Sequence, residues 1–291
     1  MKKKTFAMIL ALMMAVTLFA GCGSTTAEPA EAETEETAAE TEETAAEATD
    51  TYGEGFVFKH GFDLDFPPYS HIDDNGDVSG FDIELAQAVC DYYGWEYEPH
   101  GFNWDAKDAE LNAGNCDCIW SGFTMNGRED DYLWSKPYSD NTQLILVKKD
   151  SGIETLDDLA GKIVGVQTST SAYDLLNDEE GQKALCDTFA SLEVYETYTI
   201  AFTDLKAGAI DAIAIDQTTG DYQISKSGSA DDYMYLEEPL GSEQYAIGFR
   251  MDEVELRDKV DAALDALAAD GTIDQIGQKY EDIYPFLCLG K

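Results

Sequence analysis

Positive charge is what this sequence has least of. Its 291 residues carry 18 Lys and Arg against 59 Asp and Glu, a formal net charge of -41. A chain that grips phosphates needs a basic face, so nucleic-acid binding is excluded. Histidine is scarce too: His60, His71 and His100 show no i, i+4 or H-x3-H spacing, and Cys116-Asp117-Cys118 lacks the second pair of ligands that a zinc site needs. No metal and no cofactor is expected. The chain also lacks G-x-S-x-G, G-x-x-x-x-G-K-[ST] and H-E-x-x-H, so no catalytic residue is assigned. Apolar side chains are not lacking. A hydrophobic share of 44% with 11% aromatics supports a packed core and excludes global disorder. The length suits one large or two ordinary domains.

The longest apolar run is Phe6 to Ala20, too short to span a bilayer as a stable helix. Behind Lys2, Lys3 and Lys4 it reads as a signal peptide, residues 1–21. It ends in Leu18-Phe19-Ala20-Gly21-Cys22, which resembles a bacterial lipobox, so Cys22 is the expected lipid anchor. An ordinary cleavage site beside a Cys, or an uncleaved anchor, are the alternatives. Each of them exports the rest of the chain, and the lipobox puts it on the extracytoplasmic face of the cell membrane, held there by lipid only. From Gly23 to Asp50 there is no Lys, Arg or large apolar residue, and residues 33–39 repeat at once as 40–46. The seven-residue period has nothing to fill a coiled-coil seam, so residues 22–51 read as a disordered acidic tether.

Five cysteines remain, Cys90, Cys116, Cys118, Cys186 and Cys288, an odd number read as small core residues rather than a disulfide framework. Asp73-Asp74-Asn75-Gly76-Asp77 suggests calcium, but its acids fall at the wrong offsets for an EF-hand loop. Asn75-Gly76 between Ile72 and Val78 predicts a type I′ hairpin turn instead. Elsewhere strand and helix patterns alternate. Strands are predicted at 56–64, 118–120, 143–147, 163–166, 212–215 and 245–249. Helices are predicted at 81–93, 105–112, 155–159 and 253–269, with helix starts at 172 and 203. Alternation of this kind argues for an α/β fold with parallel sheets covered by helices.

Several blocks follow one another in order: Phe66-Pro67-Pro68-Tyr69, Gly80 to Ala86, Leu111 to Asp117, Thr124 to Arg128 and Ser135-Lys136-Pro137-Tyr138. Leu159 to Gln167, Lys206 to Asp216 and Asp270-Gly271-Thr272-Ile273 continue the series. Together they resemble the extracellular solute-binding proteins of the polar amino acid type, the capture subunits of ABC importers. The resemblance implies a two-lobed periplasmic-binding-protein fold of type II with two crossings between the lobes. Lobe 1 is expected from residues 52–139 and 245–291, and lobe 2 from 142–243. The ligand is expected in the cleft, where closure makes the signal that the permease reads.

A free amino acid buries a carboxylate and an ammonium, and each needs a charged or strongly polar partner. Arg128 is the expected carboxylate clamp, helped by Thr124, with a surface pair to Glu129 or Asp130 as its alternative. Gly122 belongs to the same stretch. Thr170 and Ser171, opening a helix after a strand, are expected to meet the carboxylate from the second side or to cap that helix. Asp216, at the carboxyl end of its strand, is expected to take the ammonium. Phe66 and Trp104 are the expected aromatic walls, and the resemblance places Asp63 and Gln167 at the side-chain pocket. The partners implied are a free amino acid and an ABC permease with its ATPase, the chain itself acting as a monomer without chemistry. Two other classes share the fold: a periplasmic dehydratase, which needs a poised acid or base, and a sensor ectodomain, which is expected to continue into a membrane helix.

Overall fold

The computed structural model describes residues 51–290, and its strands sort into two main sheets and one small one. The expected signal peptide, the lipidated Cys22 and residues 22–50 of the tether lie outside the described residues. From its start, the chain runs β1 (Val57–Asp63), the short strands β2 (Asp65–Phe66), β3 (Ser70–Ile72) and β4 (Val78–Ser79), α1 (Phe81–Tyr93) and β5 (Glu96–Phe102). A 3-10 turn at Trp104–Ala106 leads into α2 (Lys107–Asn112), β6 (Cys118–Ile119), β7 (Leu133–Trp134) and the long β8 (Ser139–Lys148). There follow β9 (Ile163–Gln167), α3 (Ser171–Asn177), α4 (Lys183–Cys186), β10 (Ser191–Tyr195), α5 (Tyr198–Ala207) and β11 (Ala212–Asp216). The chain closes with α6 (Gln217–Ser227), β12 (Tyr233–Tyr235), β13 (Gly241–Tyr245), β14 (Gly248–Phe249), α7 (Val254–Ala269) and α8 (Thr272–Gly277).

The first sheet has the order β5-β1-β6-β14-β7, and the second β10-β9-β11-β8-β12 with β13 on β8. Each has the parallel core that the alternation predicts: β5, β1 and β6 in one, β10, β9 and β11 in the other. To these parallel strands the structure adds β8 and β14, which run antiparallel to their neighbours. Both enter directly from the other sheet instead of through a crossover helix, so nothing forces them parallel. The two sheets are joined by a ribbon, in which β8 and β13 pair from Gln143↔Gly241 to Ser139↔Tyr245.

That ribbon also corrects the strand expected at 245–249. Tyr245 ends β13 in the second sheet, while Gly248 pairs with Ile119 and Trp134 in the first. The turn at 73–77 is corrected as well. Gly76 alone of its two central residues has positive φ, whereas a type I′ turn needs both. The loop holds five residues, with Asp73 Oδ1 accepting from the N–H groups of Asn75 and Asp77. Helix α5 begins at Tyr198, capped by Thr197, five residues before the expected start.

Local chemistry explains the elements that carry the site. Helix α1 buries Ile83, Leu85, Ala86, Val89 and Cys90 on one face, each large side chain contributing roughly 1.5–3 kcal/mol. It starts at Gly80, φ 137°, where a Cβ would stand 2.1 Å from the Tyr69 carbonyl oxygen, so no other residue fits. Helix α7 covers the same sheet with Leu256, Val260, Ala263, Leu264 and Leu267. Strand β5 escaped the sequence pattern because it is an edge, paired only with β1, and so tolerates Pro99 and exposed charge. Helix α6 escaped it because its buried face is Thr218, Thr219, Gly220 and Gln223, not apolar. All five described cysteines are free thiols, and three of them are buried.

Candidate ligand-binding site

Between the two sheets lies a cavity with charge of opposite sign at its ends, Arg128 and Asp216. Arg128 stands at one end. Its loop is fixed by its own N–H on the Met125 carbonyl, 3.0 Å, and by its carbonyl accepting from Trp134 Nε1, 3.0 Å. The guanidinium lies over the Phe123 ring, 5.4 Å to the centroid, and Nη1 donates to the Thr124 carbonyl, 3.2 Å. Its Nη2 reaches across to Asp174 Oδ2 of α3, 2.6 Å, and not to Glu129 or Asp130. The surface pairing weighed from the sequence is therefore replaced by one that links the two sheets. The Arg128 side chain is 12% exposed and that of Asp174 57%, so the pair itself adds little stability.

A second cation stands nearby that sequence reasoning missed. Lys107 is buried, 5.1 Å over the Trp104 ring, and its Nζ lies 3.4 Å from the Ser169 carbonyl. Burial holds its pKa below the usual ammonium range. Trp104 Nε1 donates to the same carbonyl, 3.0 Å, so Trp104 is a clasp between the lobes as well as a wall. Ser169 has φ 58°, the only non-glycine with positive φ among the described residues. Both Thr170 and Ser171 line the cavity, and both hydroxyls have structural work: Thr170 caps α3 through Tyr173 N–H, and Ser171 accepts from Gln143 Nε2, 3.0 Å.

At the other end Asp216 closes β11 with 3% of its surface exposed. Its Oδ1 accepts from Asn141 Nδ2 (2.9 Å), from Gln143 Nε2 (2.6 Å) and from the Tyr245 hydroxyl. All three donors belong to the β8–β13 ribbon. Glu243, also buried, draws on the same two amides through Oε1, at 2.7 and 2.8 Å. Burial first, then the Glu243 charge, raises the Asp216 pKa. Asn141, Gln143 and Glu243 are functional candidates the sequence reading passed over. The available signal was the start of β8, where Ser139, Asn141 and Gln143 alternate inward at the period of a strand.

The middle of the cavity is lined by Phe66, Trp104, Ser121 and Gly122. Gly122 has φ 55°, and a Cβ there would come within 2.5 Å of the Phe66 ring. Its N–H donates to buried Asp82 Oδ2, 2.7 Å, which also accepts from the Tyr138 hydroxyl, 2.8 Å. Asp82 is thus the anchor of the loop, and burial pushes its pKa up to about 7. Phe66, Trp104, Gly122, Thr124, Arg128, Thr170, Ser171 and Asp216 are brought together around one space. Asp63 and Gln167 are not part of that lining. They close on each other across the cleft, Gln167 Nε2 to Asp63 Oδ2 at 2.9 Å, with Asp63 pushed up to about 7 by burial. None of the three histidines lines the cavity. His60 is fully buried in β1 and pushed down to about 4 by desolvation. Among the described residues no group of three or more metal-ligating side chains is placed to hold an ion.

Residues 58–282 match the family described as bacterial extracellular solute-binding proteins, family 3. The "Probable amino-acid-binding protein YxeM" of Bacillus subtilis is 30% identical over 216 residues, which cover 72% of this chain and 79% of that one. A crystal structure of an ABC uptake transporter substrate-binding protein from Streptococcus pneumoniae with bound histidine superposes with a TM-score of 0.74. It is 33% identical, over 77% of this chain and 92% of that one. An ancestral amino acid-binding protein, described as a precursor of cyclohexadienyl dehydratase, superposes with a TM-score of 0.69 at 27% identity, over 77% and 95% of the two chains.

Proposed function

Because this chain belongs to the bacterial extracellular solute-binding proteins of family 3, we propose that it captures a free amino acid in the cleft and delivers it, unaltered, to an ABC permease and its ATPase. The observation that carries this reading is the polarity of the cavity, with a guanidinium at one end and a buried carboxylate at the other. A zwitterion meets both at once. Arg128 and Thr124 take the carboxylate, Thr170 and Ser171 approach it from the second lobe, and Asp216 takes the ammonium. Phe66, Trp104 and the bare backbone at Gly122 hold the carbon skeleton, while Asp63 and Gln167, engaged with each other outside the lining, tie the two sheets together beside it. Every donor to Asp216 Oδ1 lies on the β8–β13 ribbon, so the ammonium is felt by the segment about which lobes 52–139 with 245–291 and 142–243 close.

The protein acts as a monomer at the extracytoplasmic face, held through lipid on Cys22; radiolabelled palmitate should be lost from Cys22→Ser. The function itself is tested by thermal unfolding of the purified chain, stripped of ligand by unfolding and refolding, against the common amino acids. Ligand at a hundredfold over its Kd adds about 2.7 kcal/mol, a resolvable shift. No shift with any of them overturns the reading. The dehydratase reading has one observation in its favour, the ancestral neighbour described as a dehydratase precursor. Recovery of the bound amino acid unchanged by mass spectrometry decides against it, and conversion decides for it.

A further inference from the structure

The acid end of the cavity is short of hydrogens. Asn141 Nδ2 and Gln143 Nε2 carry four N–H hydrogens between them. Five contacts draw on these: Asp216 Oδ1 and Glu243 Oε1 from each amide, and Ser171 Oγ from Gln143. The carbonyl oxygens of the same amides, Asn141 Oδ1 and Gln143 Oε1, are buried with no donor at all, in side chains 3% and 0% exposed. Two buried carboxylates thus share these amide donors, Tyr245 adding one more to Asp216 alone, and among the described residues neither forms an ion pair. Such a pair does not keep two full charges without a cation or a proton.

We propose that Asp216 and Glu243 share one proton in the empty site and that the ligand's ammonium group replaces it. Capture of an amino acid near neutral pH then releases a proton to solvent, and Glu243 is the residue that sets this exchange. The inference rests on the amino acid reading above. The ammonium keeps its own protons and brings one positive charge; the carboxyl pair gives up one proton to the buffer, so the charge at this end is unchanged. Three N–H donors of the ammonium also supply what the acceptor-rich cluster lacks.

The surroundings offer no other source for the proton. Tyr245 on β13 and Tyr198 on α5 feel both carboxylates, Tyr69 feels Asp216, and burial raises all three phenols, which stay neutral. Asp174 of α3 and Asp178 just after it line the groove shared with Glu243 and are acidic too. Arg128 lines both spaces but is engaged with Asp174 and the Thr124 carbonyl. The raised pKa of Asp216 agrees with the geometry.

The test is a carboxyl-carbon NMR titration of the full chain, ligand-free and labelled at Asp and Glu, with Asp216→Asn and Glu243→Gln to assign the signals. The Asp216 carbon should titrate near neutral pH in the wild type, and about one pH unit or more lower in Glu243→Gln, where the like charge is gone. Ionisation of both carboxyls near the ordinary value of about 4, or a midpoint unmoved in Glu243→Gln, would overturn the proposal. Calorimetric titration with each of the twenty common amino acids, in buffers of different ionisation enthalpy, reads the exchange. A binder should release about one proton from the wild type and less than about half of one from Glu243→Gln. A binder that releases none overturns the exchange alone. A shared proton seen by NMR while no amino acid binds overturns the amino acid reading and leaves the pair standing.

Discussion

The two ends of the cavity solve the same problem in opposite ways. At the cationic end a long side chain, Arg128, reaches in from a loop and is held by a carbonyl, a ring face and an exposed Asp174. At the acid end a short side chain, Asp216, is fixed from three sides by donors on one rigid ribbon, and nothing near it is exposed. The difference teaches where each end stores free energy. Arg128 has an alternative partner when the site is empty, so the protein loses little by waiting. Asp216 shares two of its donors with another acid, so on the proposed reading an ammonium arriving there would relieve a strain that the empty site keeps.

The sharpest way to break this comparison is to delete each end in turn. Arg128→Ala should abolish the stabilisation by the bound amino acid, a loss of about 3–5 kcal/mol in affinity, because the ligand carboxylate is left buried and unpaired. The ligand-free melting temperature should hardly move, since the partner lost is largely exposed. Asp216→Asn should also weaken binding, by about 2–3 kcal/mol, but it should raise the stability of the ligand-free protein by about 1–2 kcal/mol, since a buried acid no longer faces Glu243. Urea unfolding with and without ligand reads both quantities. If Asp216→Asn destabilised the empty protein, the acid end would not be the strained one.

How much of this was legible beforehand depends on what fixed each residue. Arg128, Asp216 and Phe66 stand in local blocks whose order could be read along the chain, Thr170 opens a helix after a legible strand, and the apolar faces of α1 and α7 showed their period plainly. Glu243, Asn141 and Gln143 stand in a ribbon whose inward side is polar because its amides bind Asp216, Ser171 and Glu243 behind the cavity lining, so the usual rule of apolar inside does not hold. The same inversion hid α6. Lys107 was invisible for another reason: its neighbours, Trp104 in sequence and Ser169 in space, come together only across the cleft. Long-range pairs such as Arg128 with Asp174, or Gln167 with Asp63, carry no signal in any single stretch.

A control separates the strained acid end from burial as such. Asp82 is a buried carboxyl that faces the fold rather than the cavity, and its pKa is pushed up to about 7 by desolvation. A carboxyl whose pKa is higher folded than unfolded makes the native state bind more protons between about pH 4 and about pH 7. Stability therefore falls as pH rises through that window and levels off above it. Asp82→Asn should flatten the fall by about 1.4 kcal/mol per pH unit, measured by urea unfolding at stepped pH, with or without amino acid present. Asp216→Asn should flatten it only in the ligand-free protein, because bound ammonium already holds that carboxyl ionised. Equal behaviour of the two variants would make the acid end an ordinary buried carboxyl.

The smallest effect sharpens the cationic end. Ser169, at φ 58°, presents its carbonyl to Trp104 Nε1 and Lys107 Nζ from the opposite side of the cleft. A side chain in this region costs roughly 1–2 kcal/mol, and glycine avoids the cost but loses more freedom on folding, about 0.5–1 kcal/mol. Ser169→Gly should therefore stabilise the protein by about 0.5 kcal/mol and leave both donors on the carbonyl. Trp104→Phe removes one donor while keeping the wall, and should cost about 1 kcal/mol in ligand affinity if that hydrogen bond forms on closure. Applied together, the two substitutions should lose what Trp104→Phe loses alone, because the glycine relieves strain present whether or not the donor is there. A double variant that recovered the affinity would mean that the strain at Ser169, and not the Trp104 contact, governs closure at this end.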